Sequence, residues 1–590
     1  MDKNRNLGAA LRPFHTDKLA TPLRRFFGVA VTGALASLLI VSSAQASGTW
    51  GTAEETPGFS SLSTGASALV YEISCSSAGD CSSIGSYTDA ASNVQAFVDT
   101  ETKGQWAAAV PIAGLSILNF GGQVGNVLDI SCSSPGNCGA GGTYTDAAKH
   151  TQAFVANETN GTWGSAIEIP GYGALNAGGT DGELFSLSCS SAGNCSAGGT
   201  YTDATSNDQA FVANETNGTW ASAIEVPGTS TLNAGGGAQV LSLDCTAVGE
   251  CDAVGDYTDA SKHLQVFTDS ETSGTWNTAV ALPGLAALNV GGASQPFQIS
   301  CASPGSCSAG GTYTDATGNN QAFVADETNG TWASAIEIPG TSTLNVGGSA
   351  YLFGVSCASA GNCSAAGSYA DGSKYTQAFV ANETNGTWGT AIEIPGTSTL
   401  NVGGNAEVNE ISCSDVGYCS AGGFYTDSLG NGQGFVVNEV GGTWASATNV
   451  TGLSALNVGD DAAVFAVSCS RDGSCSAGGL YSDTATTEQG FYVSASADIF
   501  APKAPSIRAV SSANGALTVT VTRATANGGS PIVGYQYSLN GGAWMKVSTG
   551  ISGTVHLAHL VAGRTYRVKL RAINRIGTGA ASAVKSVRVK

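Results

Sequence analysis

Histidine and basic residues are scarce in this chain. Only five histidines occur among 590 residues, and residues 47–502 carry five lysines and arginines against 42 acidic residues. Zinc and copper sites depend largely on histidine or thiolate ligands, and Ser-His-Asp or Cys-His nucleophiles depend on a histidine base. We therefore expect none of these sites. The acidic surface that results should repel nucleic acid, so no nucleic-acid partner is expected.

Long apolar segments are missing everywhere except at the N-terminus. There, six basic residues precede "FFGVAVTGALASLLIV", which is followed by "SSAQAS" with its A-x-A spacing. This pattern predicts a secretory signal over residues 1–46; a single membrane anchor is the alternative, although Gly28, Thr32 and Gly33 interrupt the run. No other segment approaches the roughly 20 residues that a spanning helix needs. We expect a secreted, extracellular or cell-surface protein with no membrane span after signal removal.

Unpaired cysteines are also missing, because the 16 cysteines form eight C-x5-C pairs. An even count behind a secretory signal is typical of a disulfide framework. The five-residue spacing does not fit a zinc site, and each repeat is self-sufficient only if its own two cysteines join. The predicted bonds, which also number repeats 1 to 8, are Cys75–Cys81, Cys132–Cys138, Cys189–Cys195, Cys245–Cys251, Cys301–Cys307, Cys357–Cys363, Cys413–Cys419 and Cys469–Cys475.

Each repeat of 56 or 57 residues contains four short strand-like runs, which in repeat 3 are "LFSLSC", "CSAGGTYTD", "QAFVANE" and "TWASAIEVP". Alternation along the first run predicts that Phe185, Leu187 and Cys189 share one side of a strand. The residues expected to share one face of the fourth run are Trp220, Ser222, Ile224 and Val226. Helical periodicity over ten or more residues is absent. Four strands repeated side by side are the signature of a propeller blade.

The two ends of the repeat array differ by one strand. The segment "SGTWGTAEETPG" near the N-terminus matches the fourth-strand text, whereas Phe500 stands where the last repeat should have its tryptophan. We therefore predict an all-β fold in which an eight-bladed β-propeller of four-stranded blades spans residues 47–500 and the N-terminal strand closes the last blade. The tryptophans in register are Trp50, Trp106, Trp163, Trp220, Trp276, Trp332, Trp388 and Trp444.

The repeat text also carries a family resemblance. "GGTYTDATSNDQAFVANETNGTWASAIEVPG" resembles a kelch repeat in its glycine doublet, following aromatic residue and turn before tryptophan, and "ETNGTW" resembles the Asp-box hairpin of sialidase-type propellers. The closest likeness is to exported bacterial repeat proteins with "SC…C…W" units. The resemblance implies a propeller fold and carries little information about activity.

A change of composition marks a second predicted domain at residues 501–590. "GGSPIVGYQYS", "RAINRIGTG", and Leu560, Gly563 and Tyr566 at the positions of an L-x-P-G-x-x-Y corner resemble a fibronectin type III domain, which implies an immunoglobulin-like β-sandwich. Residues 503–590 hold 12 basic residues and no acidic ones. This charge is suited to binding an anionic envelope polymer or to docking on the acidic propeller, and the alternative is that it serves solubility alone.

One aspartate in each repeat follows the second cysteine by eight residues. The surrounding "YTDA" text favours a turn in which the carboxylate accepts backbone N–H groups. Repeated oxygen-rich loops are also able to hold calcium, so no cofactor is predicted but calcium stays open. These residues are Asp89, Asp146, Asp203, Asp259, Asp315, Asp371, Asp427 and Asp483.

No catalytic residue is assigned. A sialidase-type arginine cluster is excluded, because Arg471 is the one arginine in residues 47–502. A paired-carboxylate glycosidase stays open, since acidic residues are plentiful. Its site would be a departure from the repeat, such as Asp460 with Asp461, "SRDG" at 470–473, or "EVNE" at 407–410. We predict a noncatalytic binding or adhesion protein, multivalent for a polysaccharide or a surface protein; the alternatives are a glycan-cleaving hydrolase or lyase and a structural protein of the envelope.

Overall fold

The computed structural model describes residues 49–63, 67–120, 125–179, 182–484, 487–495, 502, 504–513, 515–522, 532–547, 554–574 and 577–590. The predicted signal, residues 1–46, lies outside these residues, as does Phe500. The protein is all-β, and 58% of the described residues are in strands and 6% in helices. In the described part of the chain, no helix is long and apolar enough to cross a membrane.

Each of the eight repeats forms one antiparallel sheet in which the first three strands follow one another in space as in sequence. The first strands are Ala68–Ser77, Gly125–Ser134, Glu183–Ser191, Ala238–Ala247, Ser294–Ser303, Ala350–Ser359, Ala406–Asp415 and Ala462–Cys469. The second strands are Asp80–Thr88, Asn137–Thr145, Asn194–Thr202, Glu250–Thr258, Ser306–Thr314, Asn362–Ala370, Tyr418–Thr426 and Cys475–Thr484. The third strands are Val94–Thr102, Thr151–Thr159, Asp208–Thr216, Leu264–Thr272, Asn320–Thr328, Thr376–Asn382, Gly432–Val440 and Thr487–Ala495. Repeated sheets of this kind are consistent with a β-propeller.

The fourth strand is shorter than the sequence predicts. In repeat 3 it consists of two two-residue pieces that both pair with the third strand, and between them the backbone N–H of Ala223 donates to Pro170 of repeat 2 (2.8 Å). Trp220 and Val226 are buried, but Ser222 and Ile224 are exposed. The predicted common face is therefore wrong, because the break interrupts the two-residue alternation.

The fourth-strand pieces are Gln105–Trp106, Val110–Pro111, Thr162–Trp163, Ile167–Glu168, Thr219–Trp220, Ile224–Glu225, Thr275–Trp276, Val280–Ala281, Thr331–Trp332, Ile336–Glu337, Ile392–Glu393, Thr443–Trp444 and Thr448–Asn449. A four-residue helix follows them in each repeat, preceded by a glycine in the left-handed conformation with φ between 74° and 89°. The helices are Phe59–Leu62, Leu115–Leu118, Tyr172–Leu175, Thr229–Leu232, Leu285–Leu288, Thr341–Leu344, Thr397–Leu400 and Leu453–Leu456. The first residue of each helix is buried, so the helix fixes the chain against the core as it passes to the next sheet.

A β-bulge in the first strand corrects a second prediction. In repeat 3 Leu184 pairs with Gly199 and Ser186 with Gly198, which leaves Phe185 as the extra residue. Leu184 and Leu187 are buried while Phe185 is partly exposed, so Phe185 and Leu187 do not share a side as predicted. A bulge inserts one unpaired residue and shifts the alternation by one.

Glycine is required opposite this bulge. A Cβ atom on Gly199 would lie 2.0 Å from the carbonyl oxygen of Glu183 on the neighbouring strand, closer than any side chain permits. The equivalent residues are Gly85, Gly142, Gly255, Gly311, Gly367, Gly423 and Gly479, where the same contact would be between 1.8 and 2.1 Å. This close approach explains why the second glycine position of the doublet is filled by glycine in every repeat.

The apolar core lies between neighbouring sheets and at the disulfides. One phenylalanine from the middle of each third strand is fully buried, and the eight predicted disulfide bonds are present, each joining directly opposed residues of the first and second strands. Around Phe211, for example, residues of sheets 2 and 3 form one cluster that includes Val155, Leu184 and Cys189. Each sheet therefore buries its apolar side chains against the next.

Contacts between sheets form a closed cycle. In every repeat the backbone N–H of the first cysteine donates to a side chain of the preceding repeat at 2.7 to 3.0 Å, and Cys75 of repeat 1 donates to repeat 8. The acceptors are Ser74, Ser131, Ser188, Asp244, Ser300, Ser356, Ser412 and Ser468. In addition, Glu54–Glu55 pairs antiparallel with Thr487–Ala495, so sheet 8 is completed from the N-terminal side, as the offset of tryptophans and cysteines predicts.

The C-terminal segment forms two further antiparallel sheets with their own core. The strands of the first sheet are Ser506–Ala513, Ala516–Thr522 and Thr554–Leu557, and those of the second are Gly534–Leu539, Met545–Lys546, Thr565–Asn574, Gly577–Thr578 and Lys585–Arg588. Leu517, Val519, Val568 and Leu570 are fully buried between these strands. The hydroxyl of Tyr566 accepts the backbone N–H of Val561 (3.1 Å), the kind of contact made by a tyrosine corner.

Candidate functional site

The predicted aspartate turns are present in the structure. Oδ1 of Asp203 accepts the backbone N–H groups of Thr205 (2.7 Å) and Asn207 (3.1 Å), while Oδ2 accepts Nε2 of Gln209 (3.0 Å). Burial opposes ionisation of Asp203, but these hydrogen bonds outweigh it and lower the pKa to about 2. The same two backbone bonds occur at Asp89, Asp146, Asp259, Asp315, Asp371 and Asp427. These carboxylates hold the turn closed, whereas the turn of Asp483 lies partly outside the described residues.

These turns are connected around one face of the array. The segment between each four-residue helix and the following first strand lies between two neighbouring turns. Between repeats 4 and 5, for example, the N–H of Gly291 donates to Thr314 (2.9 Å) and the carbonyl of Gly292 accepts the N–H of Leu264 (2.9 Å). Turns and connecting segments therefore alternate along a single surface, which we call the turn face.

Apolar side chains project from the turn face at the same position of several repeats. In five repeats, the residue that directly follows the sequence "LN" after the four-residue helix is 61 to 80% exposed. These residues are Phe120, Val290, Val346, Val402 and Val458. Single exposed apolar side chains are common on protein surfaces, so it is their recurrence at one position that makes the turn face a candidate contact surface.

A second candidate site lies where first strands from distant repeats meet. Nε2 of Gln298, in repeat 5, donates to Oε1 of Glu410, in repeat 7, at 3.2 Å. Repeat 6 carries Gly354 at the equivalent position, and a Cβ atom there would lie 3.3 Å from Oε1 of Gln298. The carboxylates of Glu72 and Asp129, in repeats 1 and 2, lie close enough to interact electrostatically with Glu410. We call Glu72, Asp129, Gln298 and Glu410 the axial cluster.

The three carboxyl groups of the axial cluster all have raised pKa values. Burial, and then the charge of Asp129, raise the pKa of Glu410 to about 7 against opposing hydrogen bonds from Gln298 and Ile411. Burial likewise raises the pKa of Asp129 to about 7, although the N–H of Leu187 donates to Oδ2 at 2.7 Å. Burial and the charge of Glu410 raise the pKa of Glu72 well above its ordinary value. Such groups are able to exchange a proton or to bind a cation.

The three predicted departures from the repeat lie in three different places. Glu410 of "EVNE" belongs to the axial cluster. Asp460 lies in a turn-face segment, where its carbonyl accepts the N–H of Gly432 (2.9 Å), and Asn457 accepts the N–H of Asp461 (2.9 Å). Asp472 of "SRDG" accepts the N–H of Ala78 from repeat 1 (3.0 Å). They do not form one site.

The other two acidic members of the axial cluster were not predicted from the sequence. Glu72 and Asp129 occupy the position equivalent to Glu410, where the remaining repeats carry Ser186, Ser242, Gln298, Gly354 and Ala466. The signal available is the divergence of this one position among repeats that otherwise agree. To interpret this divergence one must know where the bulge lies and that first strands from different repeats approach one another. The sequence of a single repeat shows neither.

Clefts between neighbouring sheets provide a third environment. Between repeats 2 and 3 a cleft of about 620 Å³ is lined by Trp163, Trp220, Glu158 and Glu215 among others. Elsewhere, the ligand atoms of Asp252, Cys301 and Cys307 lie within 4.8 Å of one another. Because these cysteines form a disulfide, they offer no thiolate, and this group does not have the chemistry of a metal site.

Comparison with known proteins leaves the chain without a family. No family model and no curated protein matches it. Among solved structures, a Hadza microbial sialidase aligns at 10% identity over 75% of this chain and 68% of that chain, with a TM-score of 0.31. The extracellular domain of a putative one-component system from B. thetaiotaomicron aligns at 10% identity over 87% and 74%, with a TM-score of 0.26. The kinase region of twitchin from C. elegans aligns at 20% identity over 15% of this chain and 17% of that chain, with a TM-score of 0.14. At these TM-scores the similarities carry no inference about function.

Proposed function

We propose that this is a secreted or cell-surface, noncatalytic binding protein that holds an extracellular polysaccharide or surface protein multivalently on its turn face. The observation that carries the proposal is the recurrence of one exposed apolar side chain beside one rigid turn in repeat after repeat. A repetitive ligand that contacts several equivalent positions gains affinity from effective concentration, without any strong single contact.

The architecture behind this proposal is an eight-bladed propeller over residues 47–500 followed by a fibronectin type III-like sandwich over residues 501–590. The closed cycle of hydrogen bonds from repeat 1 to repeat 8 supports the first part. The two C-terminal sheets and the hydrogen bond to Tyr566 support the second. In such a ring all eight turns face the same side, as a multivalent surface requires.

The charge of each domain limits the kind of polymer that it would bind. Residues 47–502 carry 42 acidic residues against five basic ones, and although three of the five, Lys149, Lys262 and Lys374, lie in the turns, this segment as a whole favours a neutral or cationic polymer over an anionic one. The C-terminal domain, with 12 basic and no acidic residues, favours an anionic polymer of the cell envelope. One of its arginines, Arg571, lies over the ring of Trp544 with its guanidinium carbon 4.3 Å from the ring centre. The two domains would then bind ligands of different charge.

The test is binding of purified residues 47–590 to arrays of microbial and host glycans and matrix proteins, with and without calcium. Replacing the turn-face valines (Val290, Val346, Val402 and Val458) by serine should reduce the apparent affinity more than tenfold, because the avidity depends on repeated contacts. The control replaces Val248 and Val416 by serine. These two valines are also exposed, but they lie in hairpins between first and second strands, at the opposite ends of those strands from the turn face. Equal effects of the two sets, or no saturable binding to any ligand, would refute the proposal.

A second candidate function rests on the axial cluster. Two carboxyl groups with pKa values of about 7 are suited to act as acid and base in glycan cleavage. Mass analysis of glycans incubated with the protein would detect shortened products, and Glu410→Gln should abolish them. Intact glycans after binding would leave the noncatalytic function as the explanation.

A further inference from the structure

The junctions between neighbouring sheets share one polar arrangement. Near the end of its third strand each repeat presents a small polar side chain to the next repeat. In the junction of repeats 3 and 4, Nδ2 of Asn214 donates to the carboxylate of Glu271, and Oδ1 of Asn214 accepts Nε1 of Trp276 (3.0 Å). An amide suits this place because it has both a donor for the glutamate and an acceptor for the tryptophan. The residues at this position are Thr100, Asn157, Asn214, Ser270, Asp326, Asn382, Asn438 and Ser494.

The junction of repeats 5 and 6 departs from this arrangement. Asp326 stands where four other repeats have asparagine, and it faces Glu383 of repeat 6. Asp326 accepts the hydroxyl of Ser308 (2.7 Å) and Nε1 of Trp388 (3.0 and 3.1 Å), so it keeps the acceptor role. It has no N–H to donate, and the donor that asparagine gives to the glutamate elsewhere is lost.

Glu383 lacks the amide donor that Asn157 gives to Oε1 of Glu215, although Oε2 of Glu215 and of Glu327 also accepts no hydrogen bond in the described residues. The side chain of Glu383 is only 4% exposed, and its Oε2 is a buried oxygen that accepts no hydrogen bond within the described structure. Burial, and then the charge of Asp326, raise its pKa to about 7. A buried carboxylate without a partner costs several kcal/mol, so a proton or a cation has to be supplied at this place when the group ionises.

The junction has room for an ion. A cavity of about 170 Å³ is lined by three acidic residues, Asp326, Glu327 and Glu383, together with Ser306 and Thr328. One water molecule occupies roughly 30 Å³ of liquid, so this space takes a small cation with several waters. Two carboxylates completed by water are the coordination that Mg²⁺ commonly has, and Ca²⁺ also takes carboxylate, hydroxyl and carbonyl oxygens.

We propose that the junction of repeats 5 and 6 is a binding site for one hydrated divalent cation, Ca²⁺ or Mg²⁺, held between Asp326 and Glu383. The inference is independent of the ligand of the turn face. The site is internal to the ring, so the ion joins two neighbouring sheets where three other junctions place an asparagine amide against the glutamate. The site differs from the aspartate turns in Glu383, whose Oε2 accepts no hydrogen bond in the described residues, whereas Asp326 and the turn aspartates have donors on both oxygens.

The purified protein, freed of metal by chelation, should be titrated at pH 8 with Ca²⁺ and with Mg²⁺ by calorimetry, and with Tb³⁺ by luminescence. Because Trp388 donates to Asp326, a Tb³⁺ ion in this site would be sensitised by the indole ring. We expect one site per chain, with a Kd on the order of 1 mM or tighter for Ca²⁺ or Mg²⁺. Binding should also raise the melting temperature.

The decisive variant is Asp326→Asn, which installs the residue found at four other junctions and so should keep the fold. It should abolish this site and its sensitised luminescence. Asp99→Ala is the matched control: Asp99 is a buried acid of repeat 1 whose Oδ2 accepts no hydrogen bond in the described residues, it does not line the cavity, and four repeats carry alanine at its position. This control should keep the site. Asn382→Asp should create the same acidic pair with Glu439 and add a second site.

Two results would overturn the proposal. One is the absence of any binding by millimolar Ca²⁺ or Mg²⁺. The other is binding that is unchanged in Asp326→Asn, which would place the ions elsewhere, for example at the turns. In either case the acidic pair would hold a shared proton, and the stability gained by Asp326→Asn would increase with pH but not respond to metal.

Discussion

Asp256 offers a quantitative test of the buried electrostatics. It lies on the second strand of repeat 4 and is 3% exposed, and Nε2 of Gln239 donates to Oδ2 at 3.0 Å. Burial raises its pKa from 3.8 to about 7, and hydrogen bonds from Gln239 and Gln295 offset only part of that effect. The equivalent position carries a neutral residue in the other seven repeats: Ser86, Thr143, Thr200, Thr312, Ser368, Phe424 and Leu480.

The sign of the pH dependence follows from the direction of this shift. Between about pH 4 and pH 7 the folded protein keeps the proton on Asp256 while the unfolded chain has lost it, so the free energy of unfolding falls as pH rises through this window. At about 1.4 kcal/mol per pKa unit, ionised Asp256 costs about 4 kcal/mol at pH 8. About 3 kcal/mol of that cost develops between pH 5 and pH 8.

Two variants isolate the effect. Asp256→Asn keeps the shape and removes the charge. Asp256→Thr installs the residue of repeat 3, where the Thr200 hydroxyl lies within donating distance of two backbone carbonyls, those of Gln209 (3.2 Å) and Ala238 (3.1 Å). Denaturant unfolding should be measured at pH 5 and pH 8. The free energy of unfolding of each variant, relative to the wild type, should increase by about 3 kcal/mol between these two pH values, because all other buried acids are the same in the three proteins. Parallel pH profiles of wild type and variants would refute the assignment of a protonated, buried Asp256.

Three further predictions concern packing and cross-links. Gly199→Ala should destabilise the protein strongly or prevent folding, because its Cβ would collide with the Glu183 carbonyl. Gly310→Ala is the control, and it should lower stability only slightly because repeat 6 has alanine at the equivalent position. Soluble yield and melting temperature compare the two variants. Asn214→Ala should cost about 1 to 3 kcal/mol in denaturant unfolding, because it removes the amide donor to Oε1 of Glu271 and the acceptor of the Trp276 N–H; a loss equal to that of an exposed-site alanine substitution would contradict the shared junction. Replacing both Cys189 and Cys195 by serine should lower the free energy of unfolding by about 2 kcal/mol, because the disulfide no longer restricts the unfolded chain. An unchanged melting temperature would show that hydrogen bonds alone close this loop.

The repeat length and the cysteine pairing were sufficient to predict the sheets and the disulfides. The alternation within single strands was not, and the reason is specific. The bulge at Phe185 shifts the first strand by one residue, and the break before Ile224 divides the fourth strand, so the two-residue period fails in both. The four-residue helices are too short to have a helical period of their own.

The candidate sites show a similar division. The aspartate turns were predicted because their chemistry is local: a carboxylate and the N–H groups two and four residues later. The axial cluster and the junction acids depend on contacts between repeats. Glu410 meets Gln298 across a repeat, and Asp326 meets Glu383 across a sheet boundary. The sequence does show that Asp326 is an acid at a position where four repeats have asparagine. This difference can be interpreted only once the neighbouring Glu383 is known.

The pairing of Glu54–Glu55 with Thr487–Ala495 sets the order in which the molecule is able to assemble. Seven sheets draw all their strands from one stretch of chain and are able to form as they are synthesised. The eighth has to wait for partners about 440 residues apart, and closing a loop of that length costs about 4 kcal/mol more than closing a six-residue hairpin. Until that happens, the third strand of repeat 8 keeps an open edge, which is the part of the nascent protein most exposed to pairing with a second chain. A circular permutant that carries residues 49–63 after repeat 8 would convert this last step into a local one.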